Sequence, residues 1–564
     1  VVVHDAITRT LACLPGAVGG ECAWSLAVEE TPLNRRHARS IVTGTLIALA
    51  LGCPLPTHAA NGPTGAPTHD ALGYDDARHL LARTGFGPTD AEVRAYAPLT
   101  RAAAVAKLLR EARTEAVTPP PAEALVIAPL RPPATEGTPA DQRKLFVQQQ
   151  VREGLALRAW WMQEMVVTPS PLTERMTLFW HNHFVSAQPK VRVTRLMYRQ
   201  NALLRENALG NFGTLLHAIA RDPAMVIYLD SAQNRKGSPN ENFAREVMEL
   251  FTLGEGHYSE QDVKEAARAF TGWSLDRETG AFVFRPRLHD TGDKTVLGKT
   301  GPFDGDAVLD LLLARPETAE LIVARMWREF VSPDPDPREV ARIAKRFRES
   351  NYEIKVALAA ILTSDAFYRA ENRGVLVKSP VEIVAGTLRQ FGLAPGETLP
   401  FALAAAGMGQ NLFSAPNVKG WPGGETWINA TTLLARKQFL DRLTRVDERT
   451  PMATAMRGDA MEATMQPAVA TRGSDVAMTT APPPQDDEKA RGQRFRREME
   501  RSLASVRFDS AQWVAALPGA DGAARARAAQ RLLLATEPLT SPETNADSLT
   551  LVRSLVQDAA FQLK

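Results

Sequence analysis

Residues 228–273 read YLDSAQNRKGSPNENFAREVMELFTLGEGHYSEQDVKEAARAFTGW, and their punctuation decides the fold class. Ser238 and Pro239 offer an N-cap and a first helical residue, with Glu241 three positions after the cap. Gly254 follows the last periodic residue and suits a left-handed stop. Ser259, Asp262 and Gly272 repeat the same grammar for a second helix. Phe243, Val247, Leu250 and Phe251 recur at helical spacing and predict a core-facing stripe. Val263, Ala266, Ala267 and Phe270 do the same for the second helix.

The other side of the first helix is polar. Asn242, Glu246 and Glu249 share a stripe, and Arg245 borders it with Glu241 one turn away. Two readings follow from this spacing. One is a solvated face with ordinary ion pairs; the other is a carboxylate-lined cleft between facing helices.

Capped amphipathic segments recur on both sides of this stretch, at 74–83, 140–165, 196–209, 317–330, 337–349, 352–363, 380–391 and 431–445. Ser170-Pro171 opens a further helix, on which His181 and His183 are two residues apart and point in nearly opposite directions. After Trp273 the period changes. Phe282 to Arg285 alternates, and Thr295 to Leu297 can pair with it as a hairpin, with His289-Asp290 and Lys294 between them. Residues 407–429 form a Gly- and Pro-rich loop carrying Trp421, Trp427, Asn411, Asn417 and Lys419. Such a loop either presents an aromatic platform to a sugar or plugs the core with its tryptophans. Residues 450–493 are rich in Ala, Met and Pro and poor in aromatics, which predicts an insertion without a packed core.

Several of these segments carry a resemblance. The 228–273 stretch, together with HLLARTGFG (79–87), FWHNHF (179–184), HDTGDKTVLG (289–298), KSPVEIV (378–384), MGQNLFSAPNVKGWPGGETWIN (408–429) and AAFQLK (559–564), resembles the bacterial family called "domain of unknown function 1800". The resemblance runs from about residue 70 to the end. It implies an exported protein with a helical fold and no established reaction. It also implies a neighbour, since members are often encoded beside an exported family that resembles sulfatases.

Composition limits the alternatives. The 66 Lys and Arg against 64 Asp and Glu leave a net charge of +2, and no basic tract or motif points to nucleic acid. Residues 34–39 are basic, 41–51 apolar, and 54–60 end in small residues, the order of a secretory signal. The 33 residues before that basic run suggest an over-extended start, so 1–60 is read as a targeting segment and 70–564 as one large domain. Cys13, Cys22 and Cys53 all precede Ala60, so a mature chain would contain no thiol nucleophile, thiolate ligand or disulfide. No GxSxG, Walker A, HExxH or dinucleotide fingerprint is present.

The expectation is a mainly α fold, a large multi-helix domain with a small β hairpin at 282–297. The expected activity is hydrolysis of an envelope or extracellular polymer such as a polysaccharide. Glu246, Glu249, His289 and Asp290 are the catalytic candidates; Asn240, Arg245, Lys419 and Trp421 are the substrate-binding ones. His181, His183 and Glu241 are candidate ligands for a divalent metal. The alternative is a non-catalytic binding or assembly protein of the periplasm or cell surface that works with the exported sulfatase-like partner.

Overall fold

The computed structural model describes residues 71–126, 130, 140–444, 506–543 and 546–564. The targeting segment and the 450–493 insertion read from the sequence lie outside them.

The helices that position the candidate site run in chain order as α1 (Gly73–Thr84), α2 (Ala140–Val167), α3 (Pro171–His183), α4 (Thr194–Glu206) and α5 (Asn242–Glu246). They continue as α6 (Glu260–Ala269), α7 (Pro316–Phe330), α8 (Pro380–Gln390), α9 (Leu399–Gly407), α10 (Ala430–Thr444) and α11 (Ser548–Gln557). The fold is mainly α. α3 lies at its centre: from Leu172 to His181 every residue is buried. It packs on α1, α2 and α4, while α2 also meets α8 and α9, and α10 pairs with α11.

Two segments with family motifs meet through small residues, and a cation ties the first of them to the end of α7. Gly87 adopts φ +88°, and a Cβ there would lie 2.9 Å from the Gln390 side chain. A Cβ on Gly386 would lie 2.8 Å from the Phe86 carbonyl oxygen, so the turn after α1 backs directly onto α8. Arg83, fully buried, donates to the Phe330 and Val331 carbonyl oxygens at 2.9 Å and to that of Asn372 at 2.5 Å. It thereby satisfies the open C-terminal carbonyls of α7.

The organising stretch folds partly as its punctuation predicts. Ser259 and Asp262 form a complete capping box at the start of α6. Gly254 takes φ +85° and donates to the Met248 carbonyl oxygen, closing the preceding helix. The apolar stripes are buried. Ser238, however, is not a cap, because residues 235–238 close their own turn through Gly237 at φ +82°. The helix starts at Asn242, whose N–H donates to the Asn240 side chain at 3.0 Å. This local Asx turn outcompetes the Ser-Pro start. Beyond Glu246 the helix widens into a π-helical turn, Val247–Thr252, which no sequence period signals.

The β structure is two short ribbons rather than one hairpin. β1 (Trp273–Leu275) pairs antiparallel with β2 (Phe282–Phe284), and β3 (Lys294–Val296) with β4 (Lys299–Gly301). The expected pairing of 282–285 with 295–297 is therefore corrected. Asp276 accepts the N–H groups of Glu278 and Thr279 and turns β1 back onto β2. Leu297 and Gly298, both at positive φ, make the tight turn between β3 and β4. Each strand finds its nearest neighbour, at the smallest loop-closure cost.

Candidate functional site

The site is assembled on the C-terminal end of α3. Asn182 accepts the Trp421 N–H at 2.7 Å, and Gly420, at φ +85°, leaves no room for a Cβ against Asn182. This anchors the 408–429 loop and carries Lys419 to within 3.8 Å of Glu249 and 3.5 Å of Glu255. His183 Nε2 donates to the Phe251 carbonyl oxygen at 3.1 Å, which fixes the π-turn to the same helix end. FWHNHF is thus the bracket that holds loop and π-turn together.

On that bracket stand Glu246 and Glu249, both half-buried. Glu249 accepts from the Tyr258 hydroxyl at 3.1 Å and faces Lys419. Glu246 makes no hydrogen bond or ion pair among the described residues. Burial raises its pKa and the neighbouring Glu249 raises it further, against the lowering pull of Arg245 and Lys419. Tyr228 faces the same carboxylate: burial and then Glu246 push its hydroxyl up to about 12. Lys190 lies over the Tyr228 ring at 5.6 Å and pairs with Asp230 at 2.8 Å. Asp230 holds φ +57°, a conformation uncommon for a non-glycine residue. Chemically this is a pair of carboxylates with unequal surroundings, one paired with a cation and a phenol, the other biased toward its protonated form.

The remaining candidates separate from this pair. Arg245 spans Glu241 at 3.1 Å and Glu260 at 2.7 Å, pinning α5 to the start of α6. Asn240 caps its own turn, taking the Asn242 N–H and giving its backbone N–H to Asn234 at 2.9 Å. Asp290 turns away from His289 and binds Arg268 at 2.9 Å; that ion pair holds its carboxyl down at about 2. His289 donates from Nδ1 to the Thr271 carbonyl oxygen at 2.9 Å, which fixes the tautomer with Nε2 as the acceptor. Lys294, buried, donates to the Asp290 and Gly292 carbonyl oxygens and gathers the HDTGDK loop around itself. Trp421 and Trp427 are buried core plugs, not a platform.

The expected metal ligands do not converge. His183 uses both nitrogens, since Nδ1 must accept from Arg325 at 2.9 Å while Nε2 donates. Burial and then Arg325 drive its pKa well below the ordinary range. His181 is enclosed by Trp161, Phe413 and Trp421, and burial lowers it to about 4. Glu241 sits on Arg245. Among the described residues no three His, Cys, Asp or Glu side chains are grouped to hold a metal ion, so the donor set present does not fit one.

Tyr228, Tyr258, Lys190 and Asp230 escape a sequence reading. Tyr258 precedes a cap and belongs to no apolar period, Lys190 lies on the short helix Gln188–Val191, and Tyr228 and Asp230 flank the end of the helix Pro223–Tyr228. No curated protein and no solved structure matches this chain. The family model described as "Protein of unknown function (DUF1800)" matches residues 79–562, nearly the whole described fold, and the chain belongs to that family.

Proposed function

We propose that this chain is an exported enzyme that hydrolyses a polymer of the bacterial envelope or its surroundings by general acid–base chemistry. Glu246 gives its proton to the leaving oxygen as the bond to it breaks. Glu249, oriented by Lys419 and Tyr258, takes a proton from the water that forms the new bond. The observation that carries this reading is the upshifted Glu246 carboxyl, without a hydrogen bond or ion pair among the described residues, beside a paired carboxylate. The sequence order at 34–60 and the absence of cysteine after it support export. The test is release of reducing ends from purified sacculi and extracellular polysaccharide. Glu246→Gln should lose activity by about 100-fold or more while its melting temperature holds or rises. Equal activity in wild type and Glu246→Gln would overturn the reading.

One observation favours a second reading. With Trp421 and Trp427 buried, the 408–429 loop lacks the aromatic surface a sugar would stack on. A binding or assembly role beside the sulfatase-like exported partner would then use Lys419 and Glu255 on the exposed rim. Co-purification that survives Glu246→Gln but fails with Lys419→Glu would identify that role.

A further inference from the structure

Three stretches far apart in sequence, with Leu533, close one narrow crevice: Arg78 to Gly87, Lys378 to Gln390, and Phe561 to Lys564. Its free interior is about 20 Å³, room for one water-sized centre. The charge around it does not balance. Glu382 and Glu329 are already shared, by Arg175 at 2.5 Å each, with Lys564 Nζ also 2.5 Å from Glu382. Arg78, Arg83 and Arg436 donate only to neutral oxygens. The Lys378 ammonium has no hydrogen bond or ion pair among the described residues; it stands over the Phe561 ring at 4.0 Å.

Of the side chains that line the crevice, three are cationic (Arg78, Lys378 and Lys564) and one is a carboxylate, Glu382. A cation drawn out of water without a counter-charge is costly, and an anion beside Lys378 offsets that cost.

We propose that this crevice binds a compact monoanion, a halide ion or a carboxylate head of formate size, held by Lys378 together with Arg78 and Lys564. The small interior disfavours a tetrahedral oxyanion. The bound anion joins the turn after α1, the start of α8 and the 559–564 segment, so it locks the last described residues onto the core. The titration behaviour agrees. Burial, then Arg78, Lys564 and Arg436, pull Lys378 down to about 7. Burial and Arg175 pull Lys564 to about 8 against the opposing pull of Glu382. An anion between them restores both protons, so its affinity falls as pH rises through these values.

The experiment measures melting temperature against chloride, and separately against formate, with gluconate holding ionic strength constant. A saturable rise with chloride alone identifies a halide site; a rise with formate alone identifies a carboxylate site. Lys378→Met should melt higher than wild type in gluconate, because an unpaired, half-buried charge is gone. It should also lose at least tenfold of the apparent anion affinity. Because that variant can misfold, crystals of the wild-type chain soaked in bromide, and separately in formate, give an independent readout. Bromide anomalous signal or formate density within contact of Lys378 Nζ supports the site. A crevice holding only water in both soaks, or a full anion response retained by Lys378→Met, overturns it.

Discussion

At the scale of single residues, the same residue type acquires opposite roles from its surroundings. Glu249 is held by a phenol and an ammonium; Glu246, one helical turn earlier, makes no hydrogen bond or ion pair among the described residues and is pushed toward its protonated form. The stripe that joins them was legible as spacing, but their inequality was not, because Tyr258 and Lys419 arrive from other segments. His289-Asp290 shows the converse. As an adjacent pair it suggests a proton relay, yet Asp290 binds Arg268 and the Gly292 N–H. Its folded pKa of about 2 lies below the ordinary 3.8, so its stabilisation is complete above 3.8 and disappears as pH falls through about 2. Asp290→Asn should therefore cost about 1–2 kcal/mol at neutral pH. In urea titrations the gap from wild type should close on acidification; a gap that stays constant with pH would rule out the ion pair as its source.

Elements were read well where their signals are local. The box at Ser259 and the stop at Gly254 are each specified within a few residues, and both form. Ser238 failed because Asn240, two positions later, offers the backbone a competing turn. The ribbons were mispaired because strand pairing depends on turns whose positive φ values a sequence does not print. Asp262 links the two levels: it accepts from Ser259 and, at 2.7 Å, from the Leu297 N–H in the tight turn of β3 and β4. Ser259→Ala should cost about 1 kcal/mol. Asp262→Ala should cost about 2 kcal/mol, since it also orphans the Leu297 donor. Equal losses in thermal melts of the two variants would show that the ribbon contact contributes nothing.

Across the whole molecule, the least legible feature is the buried charge at the centre. Arg175, Glu329, Glu382 and Lys564 come from four distant segments, and each alone looks like a surface residue. Burial by itself would raise Glu382, but Arg175 and Lys564 hold it down at about 2. Glu382→Gln should cost about 3–5 kcal/mol, because it leaves buried cations unpaired; a loss under about 1 kcal/mol in chemical denaturation would contradict that arrangement. The same packing logic places the site. α3 is buried so completely that its last turn can act as a fixed bracket for the π-turn and the 408–429 loop. The central claim is that this bracket poises Glu246 as an acid, with Glu249 helping to raise it. Side-chain carboxyl ¹³C titration of wild type and Glu249→Gln tests it directly. Glu246 should titrate above the ordinary 4.5 in wild type and move down in the variant. A Glu246 that titrates at 4.5 or below, indifferent to residue 249, would contradict the account.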